Sequence, residues 1–101
     1  MNMIKIEVLK ISEYKDLSEK YENIIDLPCN LKVGDTFYID SLDKPDKLCD
    51  SAWETMFPFI KDLLNNKGNF YNGWMKNPMS AMISCNDGFR PVTFYIELIN
   101  K

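Results

Sequence analysis

The sequence predicts a small α+β domain in which an antiparallel sheet packs against one main amphipathic helix. Residues 3–11 and 92–99 alternate apolar and polar side chains with the period of a strand. Apolar residues within 51–66 recur at spacings of three, four and seven, as on one face of a helix. A chain of 101 residues, 46% of them hydrophobic, is long enough for one core, so residues 1–101 are predicted to form a single domain.

The predicted sheet has strands near 3–11, 35–40, 79–85 and 92–99. The second strand is preceded by a turn at Leu31–Asp35, where Gly34 supplies a turn residue. The last two strands flank the turn-forming stretch 86–91, so a β-hairpin is expected there.

The main helix is predicted over residues 51–66. Ser51 and Glu54 have capping-box spacing, and Gly68 follows the predicted end as a C-terminal stop. Pro58 lies inside the helix and is expected to kink it. The predicted apolar face of this helix consists of Trp53, Met56, Phe57, Ile60, Leu63 and Leu64. Of these, Trp53, Phe57, Ile60 and Leu64 are expected to be buried, and Lys61 is expected to be exposed.

A second, short helix is predicted over residues 13–25, ended by Pro28. The apolar side chains at three- to four-residue spacing predict one stripe packed on the domain; they are Tyr14, Leu17, Tyr21 and Ile24.

Composition argues against several partners and compartments. The net charge is −3 and the pI about 4.8, and the lysines are scattered, so neither nucleic acid nor an anionic membrane is an expected partner. The N-terminal residues 1–11 are interrupted by charges and cannot form a signal-peptide core. Three widely spaced cysteines do not form a disulfide framework, which favours a reducing cytoplasm.

Few residues can carry catalysis. The chain has no histidine, which excludes the usual Ser-His-Asp and Cys-His arrangements. It also has no glycine-rich phosphate loop. The strong nucleophiles are the cysteines, and the single arginine, Arg90, is the one planar group able to hold a carboxylate or phosphate bidentately. The structural alternative for Arg90 is an ion pair with Asp87 or a neighbouring acid that fixes the hairpin turn.

The cysteines allow two interpretations. Cys49 lies just before the predicted helix, where a thiolate is favoured. Cys29, Cys49 and Cys85 together could supply a partial zinc or iron site, although no Cys-x-x-Cys motif supports it. The wide spacing favours separate burial of each thiol as a small apolar side chain, so no cofactor is predicted.

The segment 69–78 is an aromatic loop that carries Phe70, Tyr71 and Trp74 between turn-forming residues. A loop of this length cannot easily hide three large rings by itself. Because exposed apolar patches usually mark a partner surface, we expect a homodimer contact or a ligand cleft at this loop.

Part of the chain resembles a known family. The residues are Leu48-Cys49-Asp50-Ser51-Ala52-Trp53, Met56-Phe57-Pro58, Gly68-Asn69-Phe70, Trp74-Met75 and Cys85-Asn86-Asp87-Gly88-Phe89-Arg90-Pro91-Val92. They resemble a family of small uncharacterised proteins from anaerobic bacteria and archaea. Its pattern runs Cys-x-x-Ala-Trp, aromatic-Pro, Gly-Gly-x-Phe, Trp-Met and Cys-Cys-x-Asp-Gly-x-Arg-Pro-Val. The stretch Cys29 to Phe37 is also similar.

Two positions depart from that pattern: Ser84-Cys85 replaces the double cysteine, and Lys67-Gly68 replaces the double glycine. If the paired cysteines hold a metal in that family, this chain has lost one ligand. The resemblance implies a shared fold and a shared site near the three cysteines and Arg90, and it supplies no activity.

Three hypotheses for function follow. The leading one is a non-catalytic binding or interaction domain, with an unknown small molecule or protein bound near Cys49, Trp74, Cys85 and Arg90. The second is a cysteine-based redox or metal-binding protein. The third is a small enzyme that acts on an anionic metabolite held by Arg90.

Overall fold

The predicted α+β architecture is confirmed in a computed structural model of the chain. The structure describes residues 2–23 and 30–100. In chain order its elements are β1 (Asn2–Ile11), α1 (Lys15–Tyr21), β2 (Thr36–Ile39), α2 (Asp50–Leu64), β3 (Ser80–Ser84) and β4 (Val92–Asn100).

The strands form one antiparallel sheet in the order β2-β1-β4-β3. Ile6 of β1 lies opposite Phe37 of β2 on one side and Ile96 of β4 on the other. The hairpin predicted for the last two strands is present, with Ile83 opposite Phe94. The long strands β1 and β4 therefore form the centre of the sheet, and the short strands β2 and β3 form its edges.

One face of the sheet is apolar because alternate strand residues point to the same side. Ile4, Ile6 and Val8 in β1 are fully buried, as are Phe94 and Ile96 in β4. Helix α2 covers this face, and its buried residues are Ala52, Met56, Ile60 and Leu63.

The prediction of which α2 residues face the core was wrong in part. Ile60 is buried and Lys61 exposed, as expected, but Trp53, Phe57 and Leu64 are only half-buried. Within the predicted apolar face, the side chains buried against the sheet are Met56, Ile60 and Leu63. Apolar residues extend well around this helix, so their spacing alone does not decide which of them meet the sheet.

The predicted capping box is also wrong. Helix α2 begins at Asp50, so Cys49 is its N-cap, without a side-chain cap hydrogen bond. The Trp53 N–H donates to the Cys49 carbonyl in the first helical bond, at 3.0 Å. Ser51 therefore lies in the first turn of the helix rather than before it.

Helix α1 is shorter than predicted and none of its residues is buried. Tyr14 just before it, together with Leu17 and Tyr21 within it, remains 41–67% exposed, so the packed stripe predicted for residues 13–25 is wrong where it is described. Ile24 and Pro28, which completed that prediction, lie outside the described residues. Within the described ranges, neither helix is long and apolar enough to cross a membrane.

Candidate functional site

Four rings, from Phe59, Phe70, Tyr71 and Trp74, form the aromatic cluster of this structure. Phe59 comes from α2, and the other three come from the loop that follows it. Phe59 and Phe70 meet edge to face with centroids 4.9 Å apart, and Tyr71 meets Trp74 in the same way at 5.3 Å. Such arrangements are favoured by the charge distribution of aromatic rings.

The cluster is apolar at its base and exposed at its top. Phe59 and Phe70 are half-buried and pack against the core. Tyr71 is 77% exposed and Trp74 is 42% exposed. The two base rings therefore anchor the cluster to the domain, and the two outer rings are available to a partner.

The backbone of the aromatic loop has an uncommon conformation. Asn69, Tyr71 and Asn72 have φ between 52° and 55°, and Gly73 has φ of 103°. Glycine and asparagine tolerate this left-handed region, whereas a bulky side chain such as that of Tyr71 seldom adopts it. Tyr71 is thus held in an unfavourable conformation although its ring lies mostly in solvent.

Close packing at the ends of the loop holds it in place. The Asn69 N–H donates to the Pro78 carbonyl at 2.6 Å. Gly68 lies so close to Pro78 and Met79 that a Cβ at this position would overlap the Pro78 carbonyl oxygen and the Met79 sulfur. Only glycine fits here without a shift of the backbone, so the aromatic loop is anchored directly beside the start of β3.

A second feature is an open cavity of about 420 Å³ at the N-terminus of α2. Its lining includes Lys44, Lys47 and Cys49. The Lys44 ammonium already donates to the Leu48 carbonyl at 2.6 Å and lies 3.4 Å from Asp50. Lys47 is paired with Asp35 at 2.9 Å, so both cations have partners within the domain.

The two described cysteines have different surroundings. Cys49 is exposed, and its sulfur lies 3.4 Å from the Ser51 hydroxyl. Cys85 follows the last residue of β3, is half-buried against the core, and its sulfur accepts the Val92 N–H at 3.3 Å. Cys29 lies outside the described residues. In the described part of the chain, no three Cys, Asp or Glu side chains are placed to hold a metal ion.

Arg90 is occupied by a partner distant in sequence. Its guanidinium binds both carboxylate oxygens of Glu22, at 2.8 Å and 3.0 Å. The hydrogen bond to Glu22 raises the pKa of Arg90 above its usual value, and the side chain stays charged. Asp87, the partner considered from the sequence, instead accepts the backbone N–H groups of Phe89 and Arg90.

The four residues predicted to bind a ligand lie in three regions. Cys85 and Arg90 belong to the hairpin connection, and Cys49 is the N-cap of α2. Trp74 contacts Phe59, which lies ten residues beyond Cys49, an axial rise of about 15 Å along the helix. The structure thus places Trp74 with other aromatic rings and apart from Cys49.

Sequence reasoning missed two residues of these regions. Phe59 joins the aromatic loop from α2, and its place in the helical pattern was the available signal. Glu22 binds Arg90 across 68 residues of sequence, and no local pattern indicates that pairing.

Comparison with known proteins gives no relative from which a function could be transferred. The chain matches no family model, no curated protein and no solved structure.

Proposed function

We propose that this protein is a non-catalytic interaction domain that binds a partner protein through the aromatic cluster. The observation that carries the proposal is the exposure of Tyr71 and Trp74, 77% and 42%, on a loop anchored to the core. Tyrosine and tryptophan are enriched at protein interfaces and dominate their binding energy. Two adjacent exposed rings are therefore suited to form the centre of a contact.

The shape of the surface favours a macromolecule over a small ligand. Small-molecule sites are concave and bury most of the ligand surface. Tyr71 projects into solvent, and the described cavity lies at the other end of α2, lined by charged groups. The aromatic cluster thus resembles a protein contact more than a pocket.

The segment that supplies Phe70, Tyr71 and Trp74 carries positive charges only, which favours an acidic partner. Residues 63–86 contain Lys67 and Lys76 but no acidic residue, although the chain as a whole has a net charge of −3. Complementary charges at the rim of an interface steer association and select partners. An acidic, partly apolar protein surface is the partner that this combination fits.

The alternatives receive less support from the described residues. The Arg90 guanidinium is held by Glu22, so an anionic metabolite would have to displace a bidentate ion pair. The described cysteines lie on different elements, one exposed and one packed against the core. The enzyme and metal-binding hypotheses therefore rank below the interaction domain.

The experiment is affinity capture from a lysate of the cells that make the protein, with bound proteins quantified by mass spectrometry. The native chain is compared with a Tyr71→Ser/Trp74→Ser double variant. Tyr21→Ser is the matched control, because Tyr21 is also highly exposed but lies in α1. We expect an acidic protein that is captured by the native chain and the control and lost with the double variant. A capture profile that is the same for all three chains would contradict the proposal.

A further inference from the structure

Strand β3 lies at an outer edge of the sheet, and its backbone pairing can be followed residue by residue. The Leu98 N–H donates to the Met79 carbonyl at 2.9 Å, and the Cys85 N–H donates to the Val92 carbonyl at 3.0 Å. In an antiparallel ladder, successive residues direct their backbone groups alternately toward and away from the neighbouring strand. Odd-numbered residues of this strand therefore pair with β4, and the even-numbered ones direct their N–H and C=O groups outward.

Two of the outward-directed residues are accessible. Ser80 is completely buried, whereas Met82 is 36% exposed and Ser84 is exposed. Among residues 2–23 and 30–100, no strand pairs with the outer side of β3. No loop or side-chain hydrogen bond from those residues reaches the backbone of Met82 or Ser84. The backbone N–H and C=O groups of Met82 and Ser84, two donors and two acceptors, thus lack a partner within the described part of the chain.

Strand β3 is short, with five residues, but it lacks the charged residues and proline that also protect sheet edges. Natural monomers protect an edge with charged residues, proline or a bulge. The other edge strand, β2, is four residues long and lies between Asp35 and Asp40. Residues 79–85 contain neither a charged residue nor a proline. The chemistry of this edge therefore suits the addition of another strand.

We propose that β3 is a dimer interface, formed by antiparallel pairing with β3 of a second copy about a two-fold axis at Ile83. In this register Met82 of each copy lies opposite Ser84 of the other. Both pairs are hydrogen-bonded, and each exchanges two N–H···O=C bonds. The two Ile83 residues face each other on the core side and extend the apolar layer across the interface.

A second copy is the occupant because the segment is complementary to itself. When Met82-Ile83-Ser84 pairs antiparallel with the same segment of a second copy, no like charges lie opposite each other. A two-fold contact also limits the assembly to two copies, because each copy uses its β3 edge and no β3 edge remains to bind a third copy. Pairing of β3 with β2 of another copy would instead leave open edges and produce a growing chain. The dimer goes beyond the proposed function and leaves Tyr71 and Trp74 outside the strand pairing.

The test combines sedimentation velocity with amide hydrogen exchange on the full chain. The native protein is expected to sediment as a dimer, and the Met82 and Ser84 amides are expected to exchange faster on dilution. Met82→Pro removes an outward N–H but no bond to β4, because proline is tolerated on the free side of an edge strand. By symmetry it removes two hydrogen bonds, so we expect the dimer dissociation constant to rise at least about tenfold. Met82→Thr, which keeps the N–H, is the matched control and should dimerise.

Three results would overturn the proposal. One is a native chain that does not form a dimer with itself at any concentration. This includes a chain whose β3 edge pairs with a strand of another protein instead of with a second copy. Another is a dimer in which the Met82 and Ser84 amides exchange rapidly. The last is a dimer that is as stable with Met82→Pro as with Met82→Thr. If Met82→Pro does not fold, the exchange of the native chain still decides the question, and Ser84→Pro repeats the test at the other outward residue.

Discussion

The ring of Tyr71 meets the ring of Trp74 edge to face, with centroids 5.3 Å apart, while both side chains remain accessible to solvent. Tyr71 adopts this position with φ of 52°, in a region that bulky residues seldom occupy. A residue held in such a conformation is stabilised by its surroundings, and such residues cluster at functional sites. This pair is the centre of the proposed contact surface.

The unfavourable backbone at Tyr71 gives a prediction for stability. Asparagine tolerates the left-handed region, and the exposed ring contributes little burial. We therefore expect Tyr71→Asn to leave the free energy of unfolding unchanged or to raise it by up to about 1 kcal/mol. Urea denaturation measures the change, with Tyr21→Asn in α1 as the control. A loss of more than about 1 kcal/mol would mean that the ring is chiefly a packing element.

The close approach at Gly68 gives a second prediction. A methyl group at this position overlaps the Pro78 carbonyl, so Gly68→Ala forces the loop to move. We expect the free energy of unfolding to fall by about 1–3 kcal/mol, as in other overpacked sites. Gly88→Ala is the matched control, since a methyl there meets no atom within 4 Å, and it should change stability by less than about 0.5 kcal/mol. Equal effects of the two substitutions in denaturation would contradict this.

The ion pair between Arg90 and Glu22 is expected to hold the end of α1 against the hairpin. None of the residues of α1 is buried, so few other contacts fix it. Glu22→Gln should therefore speed hydrogen exchange of the α1 amides while the exchange of β1 and β4 stays unchanged. Glu19→Gln is the control, because Glu19 is an exposed acid in α1 and the ion-pair partner of Arg90 is Glu22. If α1 exchanges at the same rate in both variants, the ion pair does not restrain the helix.

The turn before β2 gives a prediction for pH dependence. The Lys32 N–H and then the Lys47 ammonium, both bound to Asp35, lower the pKa of that carboxyl. A carboxyl whose pKa is lower in the folded state stabilises the fold above its unfolded pKa of about 3.9 and loses this effect as the pH falls through the folded value. The stability difference between the native chain and Asp35→Asn should thus be constant near neutral pH and shrink below pH about 4. Denaturation at several pH values tests this, and a difference that grows on acidification would contradict it.

Much of the sheet could be predicted because its signal is local. Ile4, Ile6 and Val8 alternate with charged residues, and that alternation identifies both the strand and its buried face. The pattern in α2 is less decisive, since Trp53 and Phe57 are apolar but flank the buried side. Spacing places Met56 and Leu63 on the apolar face, and packing against the sheet buries them more deeply than Trp53 and Phe57.

The candidate site could be predicted only in part. From the composition of the loop, Phe70, Tyr71 and Trp74 could be predicted as a group that contacts a second copy or a ligand. Phe59 joins them only because the loop folds back on α2, and Glu22 reaches Arg90 only because β1 and β4 are neighbours in the sheet. Contacts between distant segments depend on topology, which no local pattern contains.

The most direct test of the proposed function is the affinity of the captured partner, once purified, for the native chain and for Tyr71→Asn, measured by isothermal titration calorimetry. The variant is expected to be at least as stable as the native chain and to bind at least about tenfold more weakly, as for other central aromatic contacts. Tyr21→Asn should bind like the native chain. Unchanged affinity of Tyr71→Asn, in a folded and stable variant, would contradict a contact surface centred on Tyr71 and Trp74.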